Sequence, residues 1–130
     1  MSLGRPRLAL TLGDAAGIGP ELALRMVSDP RIARLCQLLI YGNQALLQRV
    51  ARASGVAWPR DWHVYPRSDD AAAPSVASDT PVLFDFPFAE AANVLPGRVQ
   101  AACGRQAHTW ICAAVRDIQA GSADGLVTAP

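Results

Sequence analysis

The residues with the clearest chemical potential form a glycine-rich loop after a short apolar segment. Residues 7–12 (RLALTL) precede Gly13, and the loop continues as GDAAGIGPE into an amphipathic stretch from Pro20. Glycines let a backbone turn sharply and approach a ligand, and the amino terminus of the following helix presents N–H groups to the same place. A phosphate or carboxylate could therefore bind there. The same spacing also suits a purely structural turn between a strand and a helix.

The loop does not match the common nucleotide-binding signatures. Reading from Gly17, Leu22 stands where the third glycine of G-x-G-x-x-G is required, and no G-K-[ST] follows Gly13. All twelve basic residues are arginine, so neither Schiff-base chemistry nor a Walker-type phosphate loop can operate within these residues. Asp14 has two interpretations, a hydrogen bond to nearby loop amides or a contact to a ligand or metal.

The composition is that of one globular domain. The chain has 130 residues, 51% of them apolar and 18% charged, with a formal net charge of +1. These totals indicate neither a nucleic-acid partner nor an anionic membrane. Because no signal-peptide core and no membrane-length apolar run is present, we expect a cytoplasmic protein. Three cysteines without a C-x-x-C pair predict no disulfide framework and no zinc site, and we expect Cys36, Cys103 and Cys112 to serve packing.

The order of predicted elements favours an α/β fold, a mostly parallel sheet with flanking helices. We expect strands near 7–12, 38–41, 63–65, 81–84 and 125–128, and helices near 20–27, 44–53 and 98–120. In the first helix, the pairs Leu22 with Met26 and Ala23 with Val27 are predicted to face the sheet. The range 66–96 is predicted to be a mostly irregular connection, and the last strand to be buried. Ligands bind beyond the carboxyl ends of parallel strands, where the glycine loop lies.

Other side chains have a structural and a functional interpretation. His63 and His108 are expected to lie at the surface or to be structural rather than to bind metal. The aromatic group Trp58, Trp62 and Tyr65 is expected to be buried against the sheet, with ligand binding as the alternative. Phenylalanines 84, 86 and 88 alternate, which predicts an extended segment whose apolar face joins the core or a subunit contact.

The ends of the chain resemble one enzyme family. GDAAGIGPELAL is similar to the G-D-P-A-G-I-G-P-E signature that opens 4-hydroxythreonine-4-phosphate dehydrogenases of vitamin B6 biosynthesis, with eight of nine positions matching and Ala15 replacing the proline. The closing GLVTAP resembles the family's V-T-A-P strand, and 101–121 resembles the long helix before it. Residues 56–96 carry little of the resemblance. It implies an isocitrate and isopropylmalate dehydrogenase-like fold, incomplete here, with 1–130 as the amino-terminal α/β segment of a larger, two-domain enzyme.

The resemblance also implies chemistry. The family's reaction is the metal-assisted oxidation of 4-phosphooxy-threonine by NAD or NADP to a 2-amino-3-oxo acid, which then loses CO2 in pyridoxal phosphate biosynthesis. A homodimer and a divalent metal (Zn, Mg or Co) are implied, with metal and catalytic residues expected beyond residue 130 and none within the chain. The implied cofactor-binding residues are Gly13, Asp14, Gly17, Ile18 and Gly19, and the implied substrate-binding residue is Thr128.

Two alternatives stay open. A related dehydrogenase acting on cis-dihydrodiols of aromatic dicarboxylates resembles the same opening motif. The second alternative is a truncated, non-catalytic α/β module that is stable only with a partner. It stays open because the family's metal and substrate motifs have no counterpart in this chain.

Overall fold

The chain folds around one five-stranded parallel sheet. A computed structural model describes residues 4–76 and 79–130. The strands are β1 (Arg7–Thr11), β2 (Gln37–Gly42), β3 (His63–Pro66), β4 (Val82–Asp85) and β5 (Gly125–Thr128). Their order across the sheet is β3-β4-β2-β1-β5, with every neighbouring pair parallel. The predicted α/β class with a parallel sheet is confirmed.

Helices cover both faces of the sheet. The α-helices are α1 (Gly19–Val27), α2 (Pro30–Leu35), α3 (Gln44–Ser54) and α4 (Ala101–Gln119). α1 contacts α3, whereas α4 crosses β1, β2 and β5. Tyr41 reaches Asp117 of α4, and the adjacent Gly42 faces Leu12. Because consecutive strand residues point to opposite faces, α4 lies on the face that Tyr41 points to, opposite to the face of Gly42 and Leu12.

Local chemistry explains where most elements begin and end. All six residues of β2 are buried, as expected for the middle strand of a sheet covered on both faces. Asn43 caps α3, its side chain accepting a hydrogen bond from the Leu46 N–H at 3.0 Å. Gly55 ends α3 in the left-handed region, with φ of 70°. Gly121, predicted to end the long helix, has φ of 83° just past α4.

The predicted helices differ from the observed ones in three places. α2 was not predicted, although Asp29 caps it through the Arg31 N–H and proline follows at its first position. The long helix begins at residue 101 rather than 98, because the Gln100 side chain holds Leu95 in the preceding turn through two hydrogen bonds of 2.9 and 3.0 Å. Val99, predicted to lie on its apolar face, is therefore outside the helix and 99% exposed.

Two predictions of burial were wrong. In α1, Ala23 and Val27 are buried as predicted, whereas Leu22 is 43% exposed and Leu24 is buried in its place, so the buried side is rotated from the predicted one. β5 was predicted as a buried strand, yet Leu126 and Val127 are 37% and 43% exposed. β5 lies at the edge of the sheet and has β1 as its neighbour, so one side of it is open within the described residues.

The range 66–96 contains more structure than a loop. It holds β4, near the predicted 81–84 strand, and a short 3-10 helix, Ala91–Asn93. The three alternating phenylalanines, 84, 86 and 88, are all buried in the core. Within the described residues, no helix has the length and apolar character to cross a membrane.

Candidate functional site at the carboxyl edge of the sheet

Gly13 closes the glycine loop against the end of β5. Its φ is 69°, a conformation that side chains rarely adopt. A Cβ atom there would lie 2.3 Å from the Pro130 carbonyl oxygen and 2.5 Å from that of Ala129. This glycine is thus required by the close approach of two backbone segments, which brings the loop after β1 beside the residues after β5.

Asp14 holds the turn itself. Its backbone N–H donates to the Pro130 carbonyl at 3.0 Å, and its carboxylate Oδ1 accepts the Ala16 N–H at 2.8 Å. Its carbonyl oxygen accepts the Gly17 N–H at 2.9 Å. Of the two interpretations of Asp14, the hydrogen bond to loop amides is confirmed.

The remaining predicted loop residues divide into one that is enclosed and two that face solvent. A Cβ at Gly19 would lie 1.9 Å from the Leu12 carbonyl oxygen and 2.7 Å from the Ala129 Cβ, so this buried glycine lets α1 begin directly against β1. Gly17 is exposed, and Ile18 is 62% exposed at the amino terminus of α1. Gly17 and Ile18 therefore form the accessible rim of the loop.

Thr128 meets this loop through the sheet. It pairs in register with Thr11, and the two hydroxyl oxygens are 2.8 Å apart, with Thr11 donating. The Ala129 N–H then donates to the Thr11 carbonyl at 3.2 Å. Thr128 is exposed, so its hydroxyl is accessible at the same edge of the sheet as the glycine rim. The structure brings the cofactor-binding and substrate-binding candidates together.

The first turns of α4 form the floor beneath the loop. The Gly97 N–H donates to the Ala16 carbonyl at 2.8 Å, which fixes the entry to α4. Cys103 is completely buried, and burial, reinforced by the negative charge of Asp14, raises the pKa of its thiol. The expected packing role of Cys103 is confirmed.

The two histidines lie outside this site. Both His63, on β3, and His108, on α4, are exposed, in agreement with the predicted surface role. Among the described residues, no three His, Cys, Asp or Glu side chains lie close enough together to hold a metal ion.

The sequence reasoning missed a buried charged cluster beside the site. Arg67 Nη1 donates to Asp117 Oδ2 at 2.7 Å, and the Tyr41 hydroxyl donates to the same oxygen at 2.5 Å. The Arg67 and Asp117 side chains are 1% and 5% exposed, and the guanidinium carbon lies 4.7 Å from the centre of the Phe84 ring. Burial, with the hydrogen bond to Asp117, raises the pKa of Tyr41. Tyr41 is in register with Thr11, so this cluster, hereafter the Arg67 cluster, supports the row of side chains that ends at Thr128.

One signal could have revealed this cluster. Asp117 follows Ala113 and Ala114 at helical spacing on the buried side of α4, and an acidic residue there requires a buried partner. The partner could not be identified, because Arg67 is 50 residues away in sequence.

Two residues of the aromatic group line a cavity at the opposite edge of the sheet, and the third, Tyr65, is partly buried against the core. Trp58 and Trp62 are half buried, with ring centres 5.0 Å apart in an edge-to-face arrangement. They border a cavity of about 610 Å³ that also includes Pro30 and Pro81, before the amino ends of the strands. Both tryptophans also pack against the core, so the expected burial against the sheet is partly met.

Known proteins resemble the chain in sequence. No protein-family model matches it. A 4-hydroxythreonine-4-phosphate dehydrogenase from a Synechococcus species is 32% identical over 100% of this chain and 35% of its own length. A D-threonate 4-phosphate dehydrogenase from Bordetella bronchiseptica is 34% identical over 96% of this chain and 34% of its own length. The chain therefore spans about a third of the length of the curated relatives it matches.

Solved structures agree. The crystal structure of 4-hydroxythreonine-4-phosphate dehydrogenase from Klebsiella pneumoniae superposes with a TM-score of 0.74 and 27% identity, over 96% of this chain and 37% of that one. A terephthalate 1,2-cis-dihydrodiol dehydrogenase from Burkholderia xenovorans gives a TM-score of 0.66 and 25% identity, over 95% and 33%. These relatives are dehydrogenases, and the incomplete fold predicted from the motifs is confirmed. In sequence and in structure the chain is similar to about a third of the length of the 4-hydroxythreonine-4-phosphate dehydrogenases, in agreement with the predicted amino-terminal part.

Proposed function

We propose that the chain supplies the amino-terminal part of a nicotinamide-dependent dehydrogenase acting on a small phosphorylated hydroxy acid. The observation that carries this proposal is the meeting of the glycine rim with the end of β5 at the carboxyl edge of a parallel sheet. Ligands bind at such edges in open α/β folds. The names of the most similar relatives supply the reaction type.

Each predicted site residue has a role in this proposal. Ile18 offers an apolar surface to a nicotinamide ring, and Gly17 leaves room for the cofactor beside it. Gly13, Asp14 and Gly19 hold the loop in place by the contacts described above rather than by touching the cofactor directly. The Thr128 hydroxyl donates to the Ala129 carbonyl, with 3.2 Å between the two oxygens, and accepts from the Thr11 hydroxyl, so one lone pair remains to accept a hydrogen bond from a substrate.

The bound nicotinamide, NAD or NADP, would accept hydride from the secondary alcohol of the substrate. The described residues do not assemble a metal site. A divalent metal and a homodimer belong to the proposal for the whole enzyme, as the family resemblance implies. The family's place in pyridoxal phosphate biosynthesis and in the cytoplasm is proposed on the same basis.

Substrates named by the relatives share one chemistry. 4-Hydroxythreonine 4-phosphate and D-threonate 4-phosphate are both phosphate esters of short hydroxylated acids, which is why we propose that class. The dihydrodiol dehydrogenase is the second candidate, supported by its lower but substantial structural similarity.

The test uses the product of the complete reading frame and its Ile18→Ala variant. We expect NADH or NADPH formation with one of the two phosphate esters and none with the dihydrodiol of terephthalate. Ile18→Ala should raise KM for the cofactor by about tenfold, since it removes three methyl or methylene groups that the bound cofactor would cover, at a cost of roughly 1–3 kcal/mol. Leu35→Ala is the matched control, because Leu35 is an exposed apolar residue, 72% exposed, at the end of α2.

Three results would count against the proposal. Turnover with the dihydrodiol alone would select the second candidate. No turnover with any of the three substrates, together with no cofactor binding by calorimetry, would favour a non-catalytic module. An unchanged cofactor KM in Ile18→Ala would remove this residue from the cofactor site.

A further inference from the structure

One thiol of the chain differs from the other two in its surroundings. Cys36 and Cys103 are 8% and 0% exposed, and burial raises the pKa of both thiols. Cys112 is half buried on α4, with its Sγ 3.5 Å from Nε2 and 3.7 Å from Nδ1 of the exposed His108. Cys112 therefore combines access from solvent with an adjacent proton acceptor.

The charged side chains that α4 places on the same side as this pair are positive. Arg105 precedes His108 by three residues and Arg116 follows Cys112 by four, so the four side chains share one side of α4. Both arginines are exposed, and Arg116 also donates to the Asp69 carbonyl. The acidic residue of α4, Asp117, is buried and paired in the Arg67 cluster. This surface attracts anions and disfavours a metal cation.

We propose that Cys112 is a site of reversible modification by anionic small-molecule disulfides, with His108 as its proton acceptor. The proposal is independent of the dehydrogenase function, because the site lies on α4 away from the glycine rim. The exposed arginines would attract the carboxylates of the disulfide.

The reaction balances as a thiol–disulfide exchange. The Cys112 thiol proton moves to a ring nitrogen of His108, and the thiolate attacks one sulfur of the reagent. A new S–S bond forms between Cys112 and half of the reagent, while the reagent's own S–S bond breaks. The other half leaves as a thiolate and takes the proton from the imidazolium, so Cys112 is oxidised and the departing half is reduced.

The experiment treats the complete protein with oxidised glutathione, which carries carboxylates, and in parallel with cystamine, a dication. Adducts are located by peptide mass spectrometry, and rates are followed by intact mass at low salt. We expect a single glutathione adduct at Cys112. His108→Gln should slow it by about tenfold or more, as loss of a positioned base does. His63→Gln, an exposed histidine on β3, is the matched control and should leave the rate unchanged.

Charge and site are tested separately. Oxidised glutathione should react faster than cystamine, and added salt should reduce that difference. Cys112→Ser should abolish the adduct. First reaction at Cys36 or Cys103, or an unchanged rate in His108→Gln, would overturn the proposal. Equal rates for the two reagents at low salt would overturn the role given to the arginines.

Discussion

Removing Asp117 should destabilise the protein far more than removing any exposed charge. Asp117→Leu leaves the Arg67 guanidinium, 1% exposed, without its counter-charge, and Arg67 Nε already has no hydrogen-bond partner. It also leaves the Tyr41 hydroxyl without the acceptor it now has at 2.5 Å. Breaking a buried ion pair costs about 3–5 kcal/mol. Loss of the hydrogen bond from the Tyr41 hydroxyl adds about 1 kcal/mol. The two losses together should lower Tm by more than about 10 °C.

A double-mutant cycle measured by urea denaturation tests the reason. Arg67→Met combined with Asp117→Leu replaces both charges by apolar groups, so the double variant should be at least about 2 kcal/mol more stable than Asp117→Leu alone. Arg31→Met is the control, since its pair with Asp29 is exposed, 79% at the arginine side chain, and it should cost far less stability than Asp117→Leu. A loss below about 1 kcal/mol in Asp117→Leu, or a double variant whose loss equals the sum of the single ones, would refute this reasoning.

Three further predictions concern glycines and titration. Gly19→Ala should destabilise the protein by at least about 2 kcal/mol in urea denaturation, because the added Cβ would lie 1.9 Å from the Leu12 carbonyl oxygen. The control is Gly104→Ala in α4, where the added Cβ meets open space, and it should stabilise the protein by about 0.5–1 kcal/mol. The hydrogen bonds and charge of Arg31 lower the pKa of Asp29 from 3.8 to about 2. The stability that ionised Asp29 contributes is therefore present above pH 3.8 and is lost as pH falls toward 2. Asp29→Asn should flatten that part of the curve of Tm against pH. Tyr41 has a raised pKa, so the folded state should lose stability as pH rises above 10, and Tyr41→Phe should show less of this alkaline loss.

Part of the glycine loop's structure could be predicted from the sequence. Its position after a buried strand and before a helix beginning at Pro20 followed from residue chemistry alone, and so did the hydrogen bond of Asp14 to a loop amide. The spacing could not show which glycines touch the chain and which face solvent. Gly13 and Gly19 are required by the backbones of residues 129–130 and 12, and those contacts exist only when β5 pairs with β1.

The same limit explains the wrong predictions of burial. An apolar strand is expected to be buried on both faces, yet β5 lies at an edge, and its position depends on which strands pair. Residues 7–11 and 125–128 are far apart in sequence, and no local pattern encodes their neighbours.

The sequence by itself determined the order and types of most elements, the turn at Asp14, the end of α4 at Gly121 and the family resemblance of both ends. These follow from short-range effects, namely backbone conformation, capping and apolar periodicity. Only the tertiary structure decided that Thr128 lies beside the glycine loop and that Arg67 and Asp117 form a buried pair. Such contacts join segments 50 or more residues apart, and their energies depend on burial that exists only after the sheet has assembled.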